Sequence, residues 1–215
     1  MTFRRVVILF SMAALVAATV LMVAPASSEA SAVPAVSAKT MANLMAAYNG
    51  ESNAHARYLA FAEKAEQDGK GEVASLFRAA ARAEEIHASN HATVIKKFGG
   101  KPEAKIEDPN VGTTEENLTA AVKGETYEKD VMYPDFIAQA KSERNRDALR
   151  TFNYARTAEI EHANLYSNAK KNLATLGDAK TTYYVCTICG YTTTNLDFTK
   201  CISCLNPKDK YVPVS

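Results

Sequence analysis

The chain has 215 residues, with 25 Lys and Arg against 24 Asp and Glu and a formal net charge of +1. That length allows one main domain with a sizeable core plus a small appendage. The balanced charge leaves no electrostatic footprint for nucleic acid or an anionic membrane surface, which argues against a nucleic-acid partner.

Residues 1–30 stand apart from the rest. Arg4 and Arg5 precede an uncharged run from Val6 to Ala24, followed by Pro25-Ala26-Ser27-Ser28-Glu29-Ala30. A basic start, an apolar middle and a small-residue exit form the layout of a secretory signal. Cleavage after Ala26, Ala30 or Ala32 fits, and the mature chain is then expected in the periplasm or beyond. The alternative is an uncleaved membrane anchor formed by residues 6–24, a run at the lower edge of spanning length. Residues 31–39 read as a flexible lead-in.

The main domain is expected over residues 40–176. A first helix is predicted over Thr40–Gln67, with Leu44, Tyr48, Glu51, His55, Tyr58 and Ala62 on one face. Asp68-Gly69-Lys70-Gly71 ends it with turn chemistry. A second runs over Glu72–Phe98, with Val73, Leu76, Ala80, Glu84, His87, His91, Val94 and Phe98 facing in, and Gly99-Gly100 stops it. After the connection 99–114, a third runs over Glu115–Lys141, with Leu118, Ala121, Glu125, Glu128, Met132 and Phe136 inward and a kink expected at Pro134. A fourth runs over Arg144–Leu176, with Ala148, Phe152, Ala155, Glu159, His162, Tyr166, Ala169 and Leu173 inward.

The connection 99–114 carries the topology. A helix of about 26 residues is roughly 39 Å long, and about sixteen extended residues reach roughly 53 Å. The chain can therefore cross the whole bundle between the second and third helices. An all-α four-helix bundle with one long crossover is the ferritin-like class. The two halves also repeat faintly: Glu84 follows Glu51 at nearly the spacing by which Glu159 follows Glu125, and Tyr58 and Tyr133 sit about two turns after the first Glu of each half.

Glu51, Glu84, Glu125 and Glu159 occupy places where a bundle core wants leucine. Buried carboxylates cannot stay ionised without compensation, and two metal ions supply it. His87 and His162 complete Glu-x-x-His with Glu84 and Glu159, and positions three apart share a helix face. One Glu from each of two helices plus Glu-x-x-His from each of the other two is the di-iron or di-manganese carboxylate arrangement. Carboxylate and imidazole donors suit iron or manganese. Glu128, one turn after Glu125, is a spare carboxylate: either a ligand that changes with redox state or a solvated residue. His55 and His91 read as histidines packed near the site rather than as ligands. Tyr58 and Tyr133 are placed to hydrogen-bond its carboxylates or to fill the core.

Residues 181–215 hold all four cysteines, in the pairs Cys186-Thr187-Ile188-Cys189 and Cys201-Ile202-Ser203-Cys204. Two such knuckles bind one tetrahedral metal, iron or zinc, with disulfides as the weaker alternative. Tyr183, Tyr184, Tyr191, Phe198 and Tyr211 would wall it from water.

Taken together, Gly50-Glu51-Ser52-Asn53-Ala54-His55-Ala56-Arg57-Tyr58, Glu84-Glu85-Ile86-His87, Gly124-Glu125-Thr126-Tyr127-Glu128 with Met132-Tyr133-Pro134, Glu159-Ile160-Glu161-His162 and the two knuckles resemble the rubrerythrin family. The resemblance spans about residues 40–213 and implies a ferritin-like di-iron domain followed by a rubredoxin-like metal ribbon. It implies that Glu84 and Glu159 bridge two irons, that Glu51 binds the first, and that Glu125 and His162 bind the second. The first iron exchanges Glu128 for His87 with redox state. It also implies reduction of hydrogen peroxide to water, electrons passing through the four-cysteine iron, and a homodimer. Two features depart from the family pattern: Ile202 stands where such knuckles often carry proline, and an export signal is unusual. Export puts a cytosolic nicotinamide donor out of reach, so the electron donor is left unidentified. The competing readings are a ferroxidase and an iron-binding protein with a structural zinc ribbon.

Overall fold

The computed structural model describes residues 1–2 and 36–215. The expected export segment lies, apart from its first two residues, outside the described residues, as does most of the lead-in. Among the described residues no helix is long and apolar enough to cross a membrane.

Helix α1 spans Ala38–Gln67 and begins where the Ser37 side chain accepts the Thr40 N–H at 3.0 Å, satisfying a donor the helix leaves free. Helix α2 spans Gly71–Lys97. Gly69 and Gly99 follow the two helices at φ 67° and 80°. That left-handed turn lets the Lys70 N–H reach Ala65 O and the Gly100 N–H reach Ile95 O, closing the last carbonyls.

The predicted third helix is three consecutive segments. Helix α3 spans Thr114–Tyr127 and opens with a capping box between Thr113 and Glu116. A π-turn follows over Glu128–Met132, and helix α4 spans Tyr133–Ser142. Pro134 explains the change of register. Its ring would clash with the carbonyl four residues back and it offers no N–H. Widening the turn moves the bonds one residue further: Tyr133 N–H bonds Glu128 O. The next carbonyl in that register, Lys129 O, would need the N–H that proline lacks, and Arg156 Nε donates to it instead at 3.0 Å. The expected break is thus a π-turn just before the proline.

Arg144, at φ 56°, closes α4 as the glycines close α1 and α2, with Asn145 N–H on Ala140 O. Helix α5 then spans Arg146–Lys171, capped by the Asn145 side chain on the Ala148 N–H at 3.0 Å. It stops short of the predicted Leu176, and beyond its end Lys70 Nζ donates to the carbonyls of Leu173 and Leu176 at 3.0 and 2.7 Å.

The crossover is stitched to α1. Asn49 Oδ1 accepts the Lys105 N–H at 2.8 Å, Asn53 Oδ1 accepts the Glu107 N–H at 2.9 Å, and Asp68 Oδ2 accepts the Thr114 hydroxyl at 2.8 Å. Asp68 ends α1, at the opposite end of the bundle from the exit of α2, so the connection runs its full length.

Two apolar clusters fill the bundle. One holds Tyr58, Phe61, Leu76, Phe77, Leu118 and Tyr166; the other holds Leu44, Ile95, Tyr133 and Phe152. Along each helix the carboxylates fall between them, forming a polar layer inside an otherwise apolar core. Strands β1 (Tyr183–Cys186), β2 (Thr192–Thr193) and β3 (Tyr211–Val214) make an antiparallel sheet of order β2-β1-β3. Its cysteines and Tyr211 form a third, separate cluster with Tyr184, Tyr191 and Phe198 packed against it.

Candidate metal centres

The polar layer resolves into two overlapping groups. Glu51, Glu84, His87 and Glu159 offer donor atoms within 4.8 Å of one another, and so do Glu84, Glu125, Glu159 and His162. Glu84 and Glu159 belong to both. All six side chains are buried. Glu128 belongs to neither; it opens the π-turn and is half-buried.

Tyr58 donates to Glu125 Oε1 at 2.5 Å, and Tyr133 donates to Glu51 Oε1. Burial, then Glu125 and Glu51 respectively, hold the two phenols well above the ordinary tyrosine range, so both remain donors. His55 turns away and its Nδ1 meets Ala81 O at 2.7 Å. His91 extends the Tyr133 bond: its Nε2 lies 3.1 Å from the Tyr133 hydroxyl and its Nδ1 2.9 Å from Thr151 Oγ1. Tyr133 spends its one hydrogen on Glu51, so its oxygen accepts from His91. Inward periodicity flags His91 in the sequence, but nothing there flags Thr151.

The electrostatics are those of a cage that needs cations. Burial, then Glu84 and Glu159, raise Glu51 well above the usual carboxylate range. Burial, then Glu84, push Glu125 up to about 8. Burial, then Glu125, likewise raise Glu128. Burial would also raise Glu84, but the imidazoles of His162 and His87 hold it low. Burial opposes charge on His87, yet Glu159 and Glu84 push it up to about 10.

Glu51 Oε2, Glu84 Oε1, Glu125 Oε2, both Glu159 oxygens and His162 Nδ1 are buried without a hydrogen-bond partner. So many orphaned acceptors in one layer are not tolerated in a dry core. Positive ions between them answer every one, so the residues present fit a di-metal carboxylate centre.

Both histidines present Nδ1 to the layer. His87 Nδ1 lies 2.9 Å from Glu84 Oε2 and 3.1 Å from Glu159 Oε1. His162 Nδ1 lies 2.9 Å from Glu159 Oε2 and 3.5 Å from Glu84 Oε1. Their outer nitrogens meet the ribbon. His87 Nε2 donates to Cys189 O at 3.1 Å, and His162 Nε2 lies 3.0 Å from Thr192 Oγ1. Gly190 makes this approach possible: it adopts φ 77°, and a Cβ there would lie 2.2 Å from His87 Nε2. These contacts join residues far apart in the chain and leave no local sequence signal.

In the ribbon, Cys186, Cys189, Cys201 and Cys204 form one group. Their sulfurs are 3.7 Å apart for Cys186 and Cys204 and 3.5 Å for Cys189 and Cys201. That is far longer than a disulfide and close to the edge of a tetrahedron with metal–sulfur bonds of about 2.3 Å, roughly 3.8 Å. Bonds from the neighbouring thiols Cys186 and Cys189 hold Cys201 low, the pattern of thiols competing for a shared charge.

The rubrerythrin family model matches residues 42–170. Nigerythrin of Nitratidesulfovibrio vulgaris (strain Hildenborough) is 39% identical over 173 residues, covering 80% of this chain and 85% of that protein. Rubrerythrin-2 of Clostridium acetobutylicum is 36% identical, covering 78% and 92%. The fold matches the fully reduced, all-ferrous state of nigerythrin with a TM-score of 0.75 at 36% identity, over 86% of this chain and 91% of that one. A bacterioferritin of Mycobacterium tuberculosis shares the fold alone, at 19% identity and a TM-score of 0.61 over 67% of this chain and 92% of its own. The paired carboxylate groups are therefore a family di-iron site, the cysteine cluster is its rubredoxin-like companion, and the chain belongs to the rubrerythrin family.

Proposed function

We propose that the protein is a di-iron peroxidase that reduces hydrogen peroxide to water, with electrons relayed from its four-cysteine iron. Rubrerythrins are generally oxidoreductases, usually homodimeric and served by an electron donor. The observation that carries the relay is the hydrogen bond from His87 to the carbonyl of Cys189. One bond joins a side chain of one centre to a cysteine of the other, a direct connection between the two centres that storage of iron does not need.

The overall change is H2O2 with two electrons and two protons to two waters. When bound, the paired irons would supply the two electrons and Lewis acidity toward the peroxide oxygens. Glu84 and Glu159 would bridge, Glu51 would serve the first ion, and Glu125 with His162 the second. His87 and Glu128 would alternate at the first. His87 facing the first group, with Glu128 outside it, is compatible with one half of that exchange. Tyr58 and Tyr133 steady the terminal carboxylates, and the apolar clusters exclude bulk water.

Anaerobic protein, chemically reduced and mixed with one equivalent of peroxide, should reoxidise its bundle irons. With a protein reductant it should then consume peroxide continuously. A ferric four-thiolate site should colour it red; a colourless ribbon would remove the relay. Catalytic oxidation of added ferrous ion by oxygen, with no consumption of peroxide, would establish the ferroxidase instead.

We further propose that residues 1–30 direct export and that the mature chain works in the periplasm or beyond. The basic start, apolar run and small-residue exit support this. Mass spectrometry of protein from its native host should find a start at residues 27–33. An intact N-terminus in the membrane fraction would favour the anchor.

A further inference from the structure

Thr192 is a fully buried hydroxyl on the ribbon, held against a histidine of the bundle. Its hydrogen has a defined destination: Thr192 Oγ1 donates to Gly190 O at 3.1 Å. The oxygen is therefore left to accept, and the group facing it at 3.0 Å is His162 Nε2. A neutral, metal-binding His162 must then carry its proton on Nε2, which leaves its Nδ1, buried 2.9 Å from Glu159 Oε2 and 3.8 Å from Glu125 Oε2, free to bind an ion. A neutral imidazole binds a metal through the nitrogen that does not carry the proton, and the bond made by the other nitrogen decides which that is.

We propose that Thr192 is a positioning residue for the di-metal centre. It fixes the tautomer and ring orientation of His162 and so makes the ribbon a structural part of the bundle's metal site. A carbonyl can only accept, so Cys189 O favours the same tautomer in a neutral, metal-binding His87. The short turn from Cys189 to Thr192 thus sets one histidine in each four-residue group. The hydroxyl at 192 is what completes the arrangement: a valine there would fill the same space and leave the His162 N–H buried without an acceptor. This inference rests on the di-metal centre and not on peroxide as substrate, so metal retention tests it separately.

The test uses the full-length chain with zinc in all three positions, which is diamagnetic. Long-range nitrogen-15 spectra of histidine-labelled protein should show His162 protonated on Nε2. Protonation on Nδ1 in the unaltered chain overturns the proposal without reference to any variant. Thr192→Val should then weaken retention of one of the two bundle ions against a competing chelator by roughly tenfold or more, leaving the ribbon's ion in place. Thr192→Ser, which keeps the hydroxyl, should restore retention and the Nε2–H signature. If Thr192→Val retains both bundle ions as the unaltered chain does, or if valine and serine lose them equally, Thr192 does not position His162.

Discussion

Individual carboxylates in the polar layer differ in how many ions they can serve. Glu84 and Glu159 stand in both four-residue groups, Glu51 and Glu125 in one each, and Glu128 in neither. Glu84→Ala or Glu159→Ala should therefore strip or scramble both bundle ions, whereas Glu128→Ala should keep both and slow peroxide turnover. Iron analysis of the three variants checks this, and equal loss in all three would remove the switching role of Glu128. Protonation follows the same layer. Glu125 is pushed from 4.5 up to about 8, and His87 from 6.5 up to about 10. Each binds its proton more tightly in the metal-free fold than in an unfolded chain. That contribution to stability is complete below the ordinary value and is lost as pH rises through the folded value. Chelated protein should thus lose stability from about pH 4.5 to 8 through Glu125, and from 6.5 to about 10 through His87. Cations replace those protons, so loading near pH 7 should release protons into a weakly buffered solution, and metal affinity should rise with pH. A loading curve without proton release would contradict the shifts.

At the scale of elements, the π-turn is the feature that periodicity alone could not carry. The inward spacing of Glu51, Glu84, Glu125 and Glu159 sets four helices with a carboxylate at matching depth, because a helix face repeats with its own pitch. The register change before Pro134 leaves the carbonyl of Lys129 without an N–H in its own helix, and a donor from another helix, Arg156, satisfies it. Arg156→Met keeps the apolar stem but removes that donor. The lost bond should cost about 1–3 kcal/mol, read as a lower denaturation midpoint. It should also disturb the segment from Glu128 to Tyr133, and with it the hydrogen bond from Tyr133 to Glu51. A variant with unchanged midpoint and unchanged metal retention would mean that the turn holds without Arg156. Arg144 teaches the same lesson. Glycine announces the ends of α1 and α2, but the left-handed residue closing α4 is an arginine that composition does not mark.

For the whole molecule, two modules with separate ligand sets look independent along the chain, since the bundle's stripes end before the first cysteine. The fold ties them together. Lys70 and Glu72 hold the linker through Leu173, Leu176 and Gly177, Ser75 accepts the Thr181 N–H at 3.3 Å, and the ribbon covers the outer nitrogens of His87 and His162. A close approach of this kind depends on Gly190 having no Cβ, and that need becomes visible only when residues 87 and 190 are brought together. Removing residues 181–215 should therefore do more than cut a relay. The helices should persist, because both apolar clusters of the bundle draw nearly all their large side chains from residues before 177. The two histidines should lose their acceptors and weaken the bundle ions by roughly tenfold or more. Peroxide should still reoxidise chemically reduced protein once, while sustained turnover with a protein reductant should collapse. Circular dichroism, iron retention and steady-state turnover separate these outcomes. Unchanged retention with lost turnover would leave the ribbon a relay only, and unchanged turnover would make it a bystander to the chemistry.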